Sequence, residues 1–323
     1  MPDLETIQKL AIQLEEHPIH VKMFLLRQKN SEDINLDGYR TYKKNNPKPF
    51  VKWVGGKRQL AKQFRDDDLY PPDEFNIETA MYHEPFVGGG AMFFDLLPQR
   101  AVLSDMNPEL ITTYKVIQNQ VEELIKKLKI YQEKNNKEDF LKIRKQNVKK
   151  LSDISIAARF IYLNRTCFNG LYRVNRSGQF NVPFGQNKNP LICDEINLRK
   201  VSRELQKVKI FREDYKNVLK RAKKGDFVYF DPPYYPVSPT ASFTSYVKES
   251  FLEKEQKELR DVFLKLHKRG CFVMLSNSDT PFINEIYSNL DKKITIHKVL
   301  AGRAVNSKGS GRGKIREVVV VNY

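Results

Sequence analysis

The run Phe227-Val228-Tyr229-Phe230 passes directly into Asp231-Pro232-Pro233-Tyr234. Four apolar and aromatic residues in succession predict a buried strand. Two prolines then end it and stiffen the turn, because proline cannot donate to a ladder and restricts the residue before it. A carboxylate and an aromatic ring are thereby held at the mouth of a sheet on a backbone that cannot relax. Such a pair suits a planar base with an exocyclic amine: Asp231 and the carbonyl of Pro232 accept from the amine, and Tyr234 stacks on the ring. A proline-rich turn after an ordinary strand would look the same locally, so the rest of the chain decides.

A second segment sets the fold class. Residues 77–84 read as a strand leading into Pro85-Phe86-Val87-Gly88-Gly89-Gly90. A helical stretch follows over 91–97, then a strand over 101–105 that ends in Asp105. Strand, glycine turn, helix, strand and acid form the order of a nucleotide-type α/β unit. The glycines let backbone come close to a ligand, and Asp105 is placed to accept from ribose hydroxyls. A helix N-cap before Pro108 is the structural alternative for Asp105. The turn does not fit GxGxxG. Nor does GxxxxGK[ST] occur, since Lys308 stands where a loop ending at Lys314 needs glycine. A nucleoside ligand without a pyrophosphate, such as S-adenosylmethionine, fits better than a dinucleotide or a nucleoside triphosphate.

Further strands are predicted over 207–211, 271–275, 294–299 and 317–321. A helix over 251–268 carries Phe251, Leu259, Val262, Phe263 and Leu266 on one face, with Ser250 and Glu253 as its capping box. Residues 1 to about 45 form a charged helical lead in which Leu4, Ile7, Leu10, Ala11 and Leu14 keep helical spacing, and 43–49 read as a linker. Residues 107–190 are helical, polar and lysine-rich. The predicted architecture is an α/β domain over 48–106 and 191–323, an inserted and mainly helical unit over 107–190, and an N-terminal extension over 1–47.

Charge points to a polyanionic partner. The 323 residues carry a net charge of +17, which bears on partners and not on fold. Residues 122–150 hold ten Lys/Arg against five acids, and 297–316 hold six Lys/Arg and no acid. The three cysteines form no CxxC and leave one unpaired, which fits a reducing cytosol. His17 and His20 have no nearby cluster of ligand type, so no metal site is predicted. No run approaches the roughly 18–20 apolar residues of a membrane span, and the polar start does not read as a signal peptide.

Phe86-Val87-Gly88-Gly89-Gly90 followed much later by Asp231-Pro232-Pro233-Tyr234 resembles the FxGxG and DPPY pairing of the α-group DNA N6-adenine methyltransferases. The chain most resembles the DNA adenine methylase (Dam, D12-class) family. Further matching stretches are Lys52-Trp53-Val54-Gly55-Gly56-Lys57, Leu103-Ser104-Asp105-Met106-Asn107, the segment from Asn164-Arg165-Thr166-Cys167-Phe168-Asn169-Gly170-Leu171-Tyr172-Arg173 to Asn181-Val182-Pro183-Phe184-Gly185, and Ser276-Asn277-Ser278-Asp279. The likeness covers residues 48–323. It implies a Rossmann-like methyltransferase sheet that uses S-adenosylmethionine, with 107–190 as a DNA target-recognition domain. The activity implied is methylation of a flipped adenine in duplex DNA, at GATC or a related site, in the cytoplasm at the nucleoid. A restriction endonuclease would be a separate chain. Two alternatives stay open: the same fold acting on another base or on RNA, and a catalytically inactive DNA-binding module. Cytosine N4 enzymes more often carry Ser-Pro-Pro-Tyr, which is absent.

The resemblance also assigns residues. Trp53, Lys57, Phe86, Gly88, Gly90 and Asp105 would line the cofactor site, with Asp214 and Tyr215 at its adenine and Asp231 at its edge. Asp231, Pro232 and Tyr234 would hold the target adenine and draw its amine nitrogen towards a tetrahedral shape, so that it attacks the sulfonium methyl. Phe168, flanking Asn169 with Leu171, would wedge into the base stack, and Arg173 would read a guanine. Lys52 and Pro183 would face bases, and Asn175, Asn181 and Lys188 would touch phosphate. Phe168 and Trp53 as core aromatics, and Arg173 as a phosphate contact or surface ion pair, are the plain structural alternatives. Asn187 stands where the family carries tyrosine, and Gln186 replaces a basic phosphate contact, which leaves the outer base pair in doubt.

Overall fold

The structure, a computed structural model, describes residues 4–14, 16–27, 36–67, 69–237, 251–302 and 314–323. The chain order is α1 (Leu4–Leu14), α2 (Pro18–Arg27), α3 (Leu36–Asn45), α4 (Arg58–Asp66), β1 (Tyr82–Glu84), α5 (Ala91–Leu96), β2 (Ala101–Asp105), α6 (Pro108–Asn119), α7 (Val121–Glu133), α8 (Lys137–Arg144), α9 (Asp153–Thr166), α10 (Glu195–Leu205), β3 (Val208–Arg212), β4 (Phe227–Phe230), α11 (Glu253–Arg269), β5 (Phe272–Ser278), α12 (Pro281–Tyr287), β6 (Thr295–Gly302) and β7 (Lys314–Val321). Short 3-10 turns occupy Val148–Lys150, Phe168–Gly170 and Tyr215–Lys220.

Among the described residues, seven strands form one sheet in the order β3-β2-β1-β4-β5-β7-β6. The first five are parallel, and β7 runs antiparallel to both β5 and β6. Alternate residues of β4 feed two separate apolar clusters. Phe227 and Tyr229 join one with α4–α10; Val228 and Phe230 join the other with α11 and α12. Two buried faces explain the unbroken apolar run that marked this strand. The first cluster runs from the sheet through α6 into α7, α8 and α9 as a single body of side chains.

Several expectations shift. The strand predicted over 77–84 shortens to Tyr82–Glu84, because 77–80 turn, with Ala80 N–H donating to Asn76 O. The helix predicted from 251 begins at Glu253. Its cap is Leu252, whose N–H donates to the Glu255 carboxylate at 3.0 Å, so the Ser250–Glu253 box is not the device used; Ser250 itself lies outside the described residues. Phe251 packs before the helix, against Phe86 and Tyr215. Residues 43–45 belong to α3, and the following segment is pinned: Lys48 exchanges both backbone hydrogen bonds with the Asn197 side chain, at 2.8 and 2.9 Å.

The N-terminal helices have their own small core of Ile7, Ala11, Leu14, Val21, Phe24 and Tyr39. They dock on the sheet domain through Arg27, which pairs with Glu204 at 2.9 Å and donates to Leu97 O at 3.1 Å. His20 lies 3.3 Å from Asp95 at the same junction. An open cleft of about 870 Å³ lies between α1, α4 and the 70–74 turn. Among the described residues no helix is long and apolar enough to cross a membrane.

Candidate active site

Strand order reverses between β1 and β4, so the loops leaving their carboxyl ends open onto one crevice, the place where α/β sheets take ligands. β1 delivers Phe86 and the glycine turn; β4 delivers Asp231 to Tyr234. Asp231 Oδ1 lies 2.8 Å from Lys57 Nζ. The buried Lys57 also donates to Gly55 O at 2.6 Å, and its ammonium stands 4.6 Å from the centroid of the Tyr234 ring. Burial pushes the Asp231 carboxyl above its ordinary range, against the pull of Lys57. Pro232 is buried, and Tyr234 is half-buried with its hydroxyl donating to Glu317 Oε2 at 2.7 Å.

The turn itself is bolted to two elements. Gln256 of α11 donates to Pro233 O at 3.0 Å, and the Tyr235 N–H donates to Asn277 Oδ1 of β5 at 3.1 Å. Asn277 donates in turn to Gln256 Oε1 at 2.9 Å. Both amides are fully buried, and such closed networks hold a loop rigid. This gives Asn277 of the Ser276–Asp279 stretch a physical task that its sequence did not disclose.

Across the crevice, Asp105 accepts from Gly88 N–H at 3.1 Å and from Asn107 N–H at 2.9 Å. Burial raises its carboxyl, and these backbone donors oppose the rise. Asp105 is not the N-cap of α6; Asn107 is, accepting from Leu110 N–H at 3.1 Å. Gly88 and Gly90 have φ of +46° and +68°. A Cβ on Gly88 would stand 2.6 Å from the Trp53 indole, and one on Gly90 2.7 Å from the Tyr114 hydroxyl. These glycines therefore admit the protein's own rings. Trp53 is partly buried and stacks on Tyr172, centroids 5.9 Å apart and planes 19° apart. Phe86 stacks on Tyr215 at 5.2 Å, and the buried Tyr215 hydroxyl has no partner among the described residues. Asp214 is exposed and caps the 3-10 turn, accepting from Lys216 N–H at 2.8 Å.

The third set of residues lies along the segment after α9. Phe168 is 47% exposed, which excludes a core role. Its N–H donates to Pro183 O at 2.9 Å, and Asn169 takes a left-handed φ of 56° at the tip. Leu171 packs on the core while Pro183 and Lys188 are exposed. Arg173 is exposed, and its Nε donates to Asn181 Oδ1 at 2.7 Å. Asn175 Oδ1 closes a turn, accepting from Ser177 and Gln179 N–H at 3.0 and 2.9 Å. Lys52 is exposed beside this segment because Asn164 ties it there. Asn164, 1% exposed, accepts from Lys52 N–H and donates to Lys52 O, both at 2.8 Å, and donates to Gly170 O at 2.9 Å.

Sequence reasoning passed over Asn164, Gln256, Glu317 and Glu84. Glu84 ends β1, accepting from Tyr82 hydroxyl at 2.9 Å and Phe93 N–H at 3.2 Å. Burial, with Asp231 nearby, lifts its carboxyl to about 8. The one usable signal was a lone Asn after the apolar run Phe160-Ile161-Tyr162-Leu163. The basic stretch 297–316 falls mostly on 303–313, outside the described residues. The three cysteines are free and buried.

A sheet of this order, with a glycine turn and an acid-ended strand facing a proline-stiffened carboxylate, is of the Rossmann-like methyltransferase class. The model of the D12 class N6 adenine-specific DNA methyltransferase family matches residues 53–305. The Type II methyltransferase M1.LlaDCHI of Lactococcus lactis subsp. cremoris is 45% identical over 286 residues, 87% of this chain and 97% of that protein. The Type II methyltransferase M.MjaIII of Methanocaldococcus jannaschii is 42% identical, over 85% of this chain and 99% of its own length. The DNA adenine methylase of Escherichia coli K12 is 34% identical, over 86% and 96%. The chain belongs to the D12 class N6 adenine-specific DNA methyltransferases, and is an enzyme that methylates adenine in DNA.

Proposed function

We propose that this enzyme flips an adenine out of duplex DNA, at GATC or a related site, and methylates its N6 with S-adenosylmethionine. The observation that carries the reading is Lys57 gathered with Asp231 and Tyr234 of a bolted turn, which leaves the strand next to the one that leads into the glycine turn. The residues fit the cofactor chemically. Asp105 is a half-buried carboxylate at a strand end with lone pairs beyond its backbone donors, and Tyr215, whose ring stacks on Phe86, has a buried hydroxyl with no partner among the described residues. Trp53, Lys57 and Asp214 complete that lining in this reading. When bound, the cofactor supplies a methyl group already activated on a sulfonium.

The chain's own residues then do the positioning. Lys57 fixes Asp231 through Oδ1, so the amine of the target adenine falls to Oδ2 and the Pro232 carbonyl. Hydrogen bonds to those acceptors draw the N6 lone pair out of the ring and make it a nucleophile. Tyr234 stacks on the flipped base and returns roughly 1–3 kcal/mol of the flipping cost. The unit over 107–190 is the target-recognition domain. There Phe168 supplies the wedge, Arg173 the guanine contact, Asn169, Leu171 and Pro183 the surface against bases, and Asn175, Asn181 and Lys188 the phosphate contacts; Lys52, from outside the unit, joins the surface against bases, held beside it by Asn164. The Type II names of two relatives support a cognate restriction endonuclease as a separate chain. Methyl transfer from labelled cofactor to duplex DNA, with the modified positions sequenced in expressing cells, tests the proposal. A GATC-related motif is expected, with leakage at the outermost pair because Asn187 lacks a ring. Methylation confined to unrelated sites would refute the base-reading assignment.

A further inference from the structure

We propose that Glu317 is a positioning residue for methyl transfer, acting through the hydroxyl of Tyr234. The inference rests on the reading of Tyr234 as the stacking surface for the target adenine. Glu317 opens the buried part of β7, opposite Ser278 of β5 and Val299 of β6. The next four residues, Val318 to Val321, are all apolar and buried. Sheet packing alone would be served by another such residue. A carboxylate 7% exposed is instead costly unless a donor meets it. Tyr234 hydroxyl is one such donor, at 2.7 Å, in a charge-assisted hydrogen bond.

The bond fixes what packing leaves loose. Tyr234 is half-buried, with the Lys57 ammonium 4.6 Å from its centroid. Its backbone is held next door, where Tyr235 N–H meets Asn277 and the Tyr235 carbonyl accepts from Ser278 Oγ at 2.7 Å. Backbone anchors do not set the ring's tilt; an anchor at the far end of the phenol does. Burial, Asp231 and Glu317 together hold the phenol well above its ordinary pKa, so it remains a donor. β5 and β7 therefore clamp Tyr235 and Tyr234 from adjacent strands, and the ring meets the base at one angle.

A double-mutant cycle in the full chain tests this, read by single-turnover methylation of duplex DNA and by fluorescence of 2-aminopurine at the target position. Glu317→Leu is expected to slow the methyl-transfer step by about tenfold or more, with KM for S-adenosylmethionine little changed. Glu317→Gln keeps an acceptor oxygen and should recover most of the rate. Tyr234→Phe should lose a similar factor, and the Tyr234→Phe/Glu317→Leu double variant should be no slower than Tyr234→Phe alone. Multiplying losses in the double variant would overturn the proposal. If Glu317→Leu does not fold, Tyr234→Phe carries the test alone, and a rate within about twofold of the parent overturns it. Tyr234→Ala separates the layers: full activity sinks the stacking role itself, whereas an inactive Tyr234→Ala with multiplying losses sinks only the role of Glu317.

Discussion

Replacing Asn164 with alanine should damage both stability and DNA reading, by amounts the structure sets. The side chain accepts once and donates twice, at 2.8, 2.8 and 2.9 Å. Alanine leaves the Lys52 N–H, the Lys52 carbonyl and the Gly170 carbonyl without partners. The Gly170 bond is wholly buried, and the two to Lys52 are partly so. Buried polar groups left unmade cost about 1–3 kcal/mol each, partly wet ones less, so the sum is about 3 kcal/mol. The effect does not end there. Gly170 sits where a Cβ would meet the Lys52 side chain at 2.6 Å, so Asn164 is what holds these two chain segments in contact. Loss of it lets Lys52 drift from the Phe168 tip. Urea unfolding, with and without Asn164→Ala, measures the first part. Discrimination between cognate duplex and one altered next to the target measures the second. A stability loss below about 1 kcal/mol, or a destabilised variant that discriminates as well as the parent, would refute the reasoning.

Asp231→Ala and Tyr234→Ala should each abolish or nearly abolish methylation in a folded protein; near-normal turnover in either would remove that residue from the site. Arg173→Ala should cost about 1–3 kcal/mol at one base and relax selection there, whereas uniform weakening on all sequences would make it a phosphate contact. Phe168→Ala should slow methylation of duplex DNA yet spare a substrate already unpaired at the target; equal losses on both would end its role as a wedge. DNA affinity should fall steeply with salt, given the net charge of +17, and flat binding between low and physiological salt would give that charge another purpose. The Glu84 carboxyl, raised from 4.5 to about 8, binds its proton more tightly in the folded chain. Its contribution is full below pH 4.5 and is lost as pH rises through 8, by roughly 1.4 kcal/mol per unit between them. Glu84→Gln should flatten that decline in urea unfolding, and an unchanged slope would show the carboxyl to be ionised throughout.

The sheet's centre was legible because its strands obey local rules. The run 227–230 is both a strand and its bounds, since prolines fix one end and two buried faces demand apolar residues throughout. Asp105 and the glycine turn were legible for similar reasons. What escaped is long-range. Nothing near Glu317 says that a tyrosine 83 residues earlier will meet it. Asn164 lies in a helix whose other residues explain the helix, and its three partners come from Lys52 and Gly170. The glycines illustrate a subtler limit: nothing in the triplet says that a Cβ on Gly88 would meet Trp53, or one on Gly90 the Tyr114 hydroxyl. The cap at α11 failed because two glutamates, Glu253 and Glu255, sit at neighbouring offsets, and only geometry selects Glu255.

Trp53 is the single tryptophan of the chain. One edge of its indole rests over Gly88, and one face covers Tyr172, the neighbour of Arg173. The protein thus carries a built-in optical probe between the glycine turn and the segment that bears Arg173. Selective excitation of the indole addresses this ring with no competing tryptophan signal. A ligand settling on the glycine turn alters the solvent at one edge of the chromophore, and a shift of the Tyr172 ring alters the stacking on its face. Emission titrated with cofactor alone, DNA alone and both together therefore records, without any attached label, whether occupancy at the glycine turn is felt at the Tyr172 ring.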